Sequence, residues 1–281
     1  MSVSPALLLV LYCVAIALFS LVGGLLPGLV RMTHTRTQLI MSFVSGLMLG
    51  VAFYHLLPHS IALQHSPLGA DTSVWWLMIG LIVMLLLLRM FHFHQHDFSG
   101  EEDSHHDHHH PEPSVHKLSW VGIFLGLGLH TLIDGVALGA VLQTEASTVA
   151  TAGLLGVGVF LAILLHKPLD AMSITTIMQA GGWSTGARRT TNILFALLCP
   201  LGALSFYFGV DMLATNRDLV VSAALAFSAG AFICIALSDL LPEVHFHSHD
   251  RGKLSLAFIL GIALAYAIGG LEPAAAHLAG H

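Results

Sequence analysis

LSWVGIFLGLGLHTLIDGVALGAVLQ, residues 118–143, is one uninterrupted apolar run with a single formal charge inside it, Asp134. A helix rises 1.5 Å per residue, so about 20 apolar residues cross the ~30 Å hydrocarbon layer of a bilayer. This run is longer than that. It does not alternate apolar with polar residues, as a membrane strand would, so it reads as a transmembrane helix. Within it, "HTLIDG" at 130–135 sets a histidine and an aspartate four residues apart, where a charge is expensive.

Seven further runs of the same kind lie at 5–30, 38–65, 73–92, 148–178, 190–210, 218–244 and 253–278. The breaks between them are short and polar, as in "RMTHTRTQ", "HSPLGADTS", "QTEAST", "GGWSTGARRT" and "TNRD". Composition agrees: 56% of the 281 residues are hydrophobic and 9% are Asp, Glu, Lys or Arg, against roughly a quarter charged in a soluble domain. The expectation is an all-α polytopic membrane protein, a single domain over 1–281 with eight transmembrane helices. Almost no length is left for a soluble domain, and nothing points to a nucleic-acid partner. The first run has no basic stretch before it and is too long for a signal-peptide core, so it reads as a retained helix. Cys13, Cys199 and Cys234 fall inside runs and predict no disulfide framework.

Arg31, Arg36, Arg89, Lys117, Arg188, Arg189, Arg251 and Lys253 fall on one side of the predicted membrane, and only Arg217 on the other. Positive charge favours the cytoplasmic side, which places both termini outside the cytoplasm. The tenth basic residue, Lys167, lies inside the fifth run.

His130 sits near the middle of the fourth run, and "HKPLD" at 166–170 repeats its spacing in the fifth at matching depth. Four residues make about one turn, so His and Asp of each pair share a face. An aspartate at the bilayer centre costs at least ~2.5–3.5 kcal/mol on insertion scales; such residues face cavities and mark ion or proton paths. Two imidazoles and two carboxylates suit a divalent transition metal such as Zn2+. His130, Asp134, His166 and Asp170 are therefore the expected metal ligands. Lys167 has two compatible readings. It is a structural ion pair with Asp134 or Asp170, or an ammonium standing where a second metal would otherwise sit. The sixth run offers no acid, which favours a single metal.

"SGLMLGVAFYHLLPH" at 45–59 aligns without a gap on "AGAFICIALSDLLPE" at 229–243. Gly46 meets Gly230, His55 meets Asp239, the Leu-Leu-Pro triplets coincide, and His59 meets Glu243. The charge bias has these two helices running in opposite directions, the mark of an inverted repeat around a central site. Pro58, Pro168 and Pro242 each remove a helix hydrogen bond beside an ionisable residue and loosen the turn before them. His55 and His59 are assigned to the outer half of a metal pathway, Asp239 and Glu243 to its inner half.

Residues 92–116 hold nine histidines and six acids, including His105, His106, His108, His109 and His110. This stretch, within a 92–117 connection, is too polar to pack and is expected to be a disordered cytoplasmic loop that binds zinc weakly. "HFHSH" at 245–249 lies on the same face. The pairs Gly122/Gly126 and Gly135/Gly139 have small-xxx-small spacing, read here as close packing of the fourth helix on the fifth.

At these residues the chain resembles the ZIP (Zrt/Irt-like) family of divalent metal transporters. "HTLIDGVALGA" is similar to the family's fourth-helix motif, "HKPLD" to its fifth, "HLLPH" to its second and "SDLLPE" to its seventh. The resemblance covers all eight runs and the histidine-rich connection. It implies eight helices in a three-two-three arrangement, metal held between the fourth and fifth, movement of metal into the cytosol, and a homodimer. By motif position His130, Asp134, His166 and Asp170 are the ligands. Thr131 stands where many members have Asn, Asp134 where Glu is commoner, and Lys167 where two-metal members have an acid.

Zn2+ is the expected transported substrate, and a mixed nitrogen–oxygen set also admits Cd2+, Co2+, Fe2+ or Mn2+. No cofactor is expected, and the partners are the metal ion and the lipid bilayer of a plasma membrane, or an inner membrane in a Gram-negative bacterium. Three rivals use similar residues. A cation-diffusion-facilitator exporter normally has six spans and a soluble C-terminal domain. An intramembrane zinc hydrolase needs a general base where "HKPLD" has lysine, so the protein is expected not to be an enzyme. A metal sensor would share the ligands, and flux distinguishes it.

Overall fold

The computed structural model describes residues 4–26, 34–64, 67–92, 115–145, 156–213, 216–246 and 251–270. Among them there is no strand, and eight helices are long and apolar enough to cross a membrane. They are α1 (Pro5–Leu25), α2 (His34–Val51), α3 (Gly69–His92), α4 (Val115–Glu145), α5 (Val157–Ala180), α6 (Thr185–Gly209), α7 (Arg217–Phe246) and α8 (Arg251–Gly269). The α2 rod continues through a π-helical turn, Ala52–Leu56, into Leu57–Ala62. That turn lies just before Pro58, whose missing N–H cannot bond the carbonyl of Tyr54.

Several helix ends differ from those expected. The sixth run is predicted from 190, but α6 begins at Thr185 because Ser184 caps it, its Oγ accepting from Ala187 N–H at 3.2 Å. Polar turns at a membrane surface stay helical when capped, so Arg188 and Arg189 belong to the helix. The fifth run is predicted from 148, whereas α5 starts at Val157, directly after Gly156 in the left-handed region (φ 65°). The eighth is predicted to 278, and α8 ends at Gly269.

The helices pair in a fixed pattern. α2 packs most extensively on α8, α3 on α7, α4 on α6 and α1 on α5. Smaller contacts join α2 to α7, α1 to α6, α4 to α5, α4 to α7 and α2 to α5. This pattern is unchanged when α1 exchanges with α6, α2 with α7, α3 with α8 and α4 with α5. Each exchange relates helices an odd number of crossings apart, which run oppositely in a bilayer. The aligned glycines do matching work: a Cβ on Gly46 would strike the Phe258 carbonyl of α8, and one on Gly230 the Leu77 carbonyl of α3.

The glycine spacing in α4 is met by a different neighbour from the one expected. Gly135 lies on the Cys199 carbonyl and Gly139 on the Ala203 carbonyl, both in α6 rather than α5. A small-xxx-small stripe announces a close approach without naming the partner. With α6 drawn onto that stripe, α4 turns another face, the one bearing His130 and Asp134, toward α5.

α2, α4 and α7 are the most buried helices, and α3 and α8 among the least. Leu7, Leu11, Val14, Leu18, Val22 and Leu25 form an exposed apolar stripe along α1. Such a surface is stable only against lipid or another apolar partner.

Candidate metal site

α4 and α5 each bring one His-x-x-x-Asp turn to the same depth. His130, Asp134, His166 and Asp170 each offer one ligand atom, and these atoms lie within 4.8 Å of one another. Asp134 is fully buried, His130 and His166 nearly so, and Asp170 is 18% exposed, making it the most accessible of the four. His130 Nε2 is 3.4 Å from Asp134 Oδ2 and 3.6 Å from Asp170 Oδ2. His166 Nε2 is 3.2 and 3.8 Å from the same two oxygens. The imidazoles face each other with centroids 5.5 Å apart.

Hydrogen bonding decides which way these groups point. His166 Nδ1–H donates to the Ala162 carbonyl at 2.7 Å, one turn back on α5. In the neutral ring that bond leaves the Nε2 lone pair directed at Asp134 Oδ2, so a nitrogen lone pair confronts a carboxylate. Neither ring nitrogen of His130 has a hydrogen-bond partner, nor does Asp134 Oδ1, although all are buried. Buried polar atoms are otherwise nearly always paired. Two lone-pair nitrogens and two carboxylates converging on a few ångströms are the donor set of a divalent transition metal.

Lys167 holds the other side of the cluster. Its Nζ lies 2.5 Å from Asp134 Oδ2 and 2.8 Å from Asp170 Oδ2, and donates to Thr131 Oγ1 at 3.2 Å. The ion pair expected with one aspartate is made with both. Gly23 lets α1 approach α5 closely, because the Pro168 backbone lies where a Cβ on Gly23 would be.

The sequence model of the ZIP Zinc transporter family matches residues 6–122 and 92–269. The chain belongs to the ZIP zinc transporter family. The match reaches from α1 to α8 and so takes in the whole helical bundle. Zinc transporter ZIP9-B of Xenopus laevis is 27% identical over 271 residues, covering 82% of this chain and 84% of that protein. Zinc transporter ZIP9-A of the same species is 26% identical over the same shares. Zinc transporter ZIP9 of Macaca fascicularis is 29% identical over 133 residues, 45% of this chain and 54% of that protein. ZIP membership supports divalent metal transport rather than an enzymatic role.

Of the other residues singled out in the sequence, His55 and His59 are described in this ZIP chain. His55 is fully buried outside the four-residue cluster; its Nε2–H donates to the Ala265 carbonyl of α8 at 2.8 Å, and its ring lies against Gly158 of α5. His59 Nδ1–H donates to the His55 carbonyl at 2.5 Å. Asp239 and Glu243 lie on α7, with side chains outside the described residues. His105, His106, His108, His109 and His110 are also outside them.

Two polar knots carry no motif. Ser60 Oγ donates to the Ser222 carbonyl at 2.9 Å and lies 2.8 Å from Ser73 Oγ, while Gln64 Nε2 donates to Ser222 Oγ at 2.8 Å, joining α2, α3 and α7. Arg217, the lone basic residue expected outside, donates to the Gln143 carbonyl at 3.0 Å and its Oε1 at 2.5 Å.

Proposed function

We propose that this protein carries a divalent metal ion, zinc foremost, across the membrane into the cytosol through one site made by His130, Asp134, His166 and Asp170. The observation that carries the reading is a buried His130 ring with no hydrogen-bond partner at either nitrogen, beside a His166 Nε2 aimed at Asp134 Oδ2. Such atoms are costly unless a cation joins them.

The ligand set divides evenly between α4 and α5, the two helices that exchange in the inverted repeat. A shift of the two repeats against each other can therefore expose the site to one side and then the other while keeping its ligands together. Lys167 supplies the charge that a second metal would otherwise bring, which favours one ion per cycle. The expected basic-residue bias orients the bundle, and the family resemblance supplies the direction, from outside to cytosol, with the histidine-rich connection between α3 and α4 receiving the ion on that side. His55 and His59 belong to the outer half of the path and Asp239 and Glu243 to the inner half; the homodimer and the plasma or inner membrane location remain expectations carried by the family resemblance.

Radiolabelled zinc flux in proteoliposomes of known protein orientation tests this. Zinc should move from the outer to the cytoplasmic face and stop in folded Asp134→Ala. Flux that survives the substitution overturns the ligand assignment. No flux of any candidate metal makes a sensor the better reading.

A further inference from the structure

Lys167 heads the largest fully buried side chains of the described residues, and its ammonium takes the very oxygens a metal between the imidazoles would use. Asp134 Oδ2 and Asp170 Oδ2 each face three groups: Nζ of Lys167, Nε2 of His130 and Nε2 of His166. An ammonium and a zinc ion placed there compete for the same two atoms.

We propose that Lys167 is a tethered counter-cation: it stands in for zinc on Asp134 and Asp170 while the unloaded carrier returns, and yields those oxygens when zinc arrives. The proposal rests on the zinc-transport reading above. It needs only the fixed charge of the lysine.

Charge arithmetic gives the reason. With neutral imidazoles, two carboxylates and one ammonium leave the unloaded site with one net negative charge, and Zn2+ makes it one net positive. Without the ammonium the unloaded site carries two negative charges and the loaded site none. The idealised Born cost of a charge in a low-dielectric interior rises with its square, so the lysine lowers the cost of the worst leg about fourfold. Turnover follows the slowest leg, and for the bare carboxylate pair that leg is the unloaded return. When zinc takes the oxygens, the ammonium has two neighbours to retain it: Thr131 Oγ1 at 3.2 Å and the Phe195 ring, whose centroid is 5.9 Å away.

The test compares two modes of radiolabelled zinc uptake in oriented proteoliposomes. Net uptake into zinc-free vesicles requires the unloaded return, whereas exchange into zinc-filled vesicles does not. In the wild type, zinc on the far side should speed uptake by less than about threefold, because the return is not the slow leg. Lys167→Met should lower net uptake about tenfold relative to exchange, and Lys167→Arg, which keeps the charge, should hold the ratio within about threefold of wild type. Equal losses of net uptake and exchange in Lys167→Met would show a structural ion pair and overturn the proposal. So would an Arg variant that behaves like the Met variant, or a wild type accelerated more than about tenfold by zinc on the far side. The wild-type ratio and the Arg variant decide the matter even where the Met variant does not fold. Failure of the underlying transport reading looks different: no zinc moves in either mode.

Discussion

Replacing Asp134 by Asn keeps the shape of the side chain and removes its charge. In the wild type Asp134 Oδ2 faces Lys167 Nζ at 2.5 Å, His166 Nε2 at 3.2 Å and His130 Nε2 at 3.4 Å, while Oδ1 has no protein partner. Removing the charge of one buried binding partner costs ~3–5 kcal/mol of affinity for the charge it faces. At ~1.4 kcal/mol per factor of ten, zinc affinity should fall at least ~100-fold. The assay is thermal denaturation in detergent at buffered zinc. At a zinc concentration about 100 times the wild-type Kd, binding stabilises the wild type by ~2.7 kcal/mol. A variant with ~100-fold weaker binding gains only ~0.4 kcal/mol at the same concentration. Zinc should therefore raise the wild-type midpoint clearly and the Asp134→Asn midpoint scarcely. The zinc-free midpoint of the variant should fall as well, because Lys167 is left with Asp170 alone. An equal zinc-induced rise in both proteins would refute the reasoning, since Asp134 would then not bind the ion.

Gly135→Leu should cost ~3 kcal/mol or more by forcing a side chain onto the α6 backbone, whereas Gly252→Ala, which meets nothing within 4 Å, should leave the melting midpoint unchanged. Ser222→Ala removes the acceptor of Gln64 and the donor to the Ser60 carbonyl, and should lower stability by ~1–3 kcal/mol while zinc affinity holds. Gly158→Ala puts a Cβ 2.7 Å from His55 Cε1, so it should destabilise alone and be partly relieved in combination with His55→Ala. A double-mutant cycle on melting should show coupling of at least ~1 kcal/mol between these two positions, and additive effects would contradict the contact.

Much of this architecture is legible from residue type and spacing. The eight apolar runs become eight helices, because a bilayer leaves a long apolar segment little else to form. The two His-x-x-x-Asp turns meet as their common spacing and depth imply. The aligned Gly46 and Gly230 each seat a neighbouring helix, the physical content of the repeat. What sequence hides is partner choice. Gly135 and Gly139 advertise a smooth face, but whether α5 or α6 fills it depends on the packing of the whole bundle. Lys167 to Asp170 is an i,i+3 pair visible along one helix; its second bond, to Asp134, crosses from α5 to α4. Ser60 and Ser222 lie 162 residues apart with no periodic signal between them. The start of α6 turns on the Ser184 cap, which counting apolar residues passes over.

X-ray absorption at the zinc edge, with the bound metal counted per chain, tests the site most directly. After zinc held weakly by the histidine-rich connection is dialysed away, the account predicts one zinc per chain with two imidazole nitrogens and carboxylate oxygens at ~2.0–2.2 Å and no sulfur, a signal lost in His130→Ala and His166→Ala. Two zinc ions per chain, a sulfur shell from Cys199, or an unchanged spectrum in the histidine variants would contradict it.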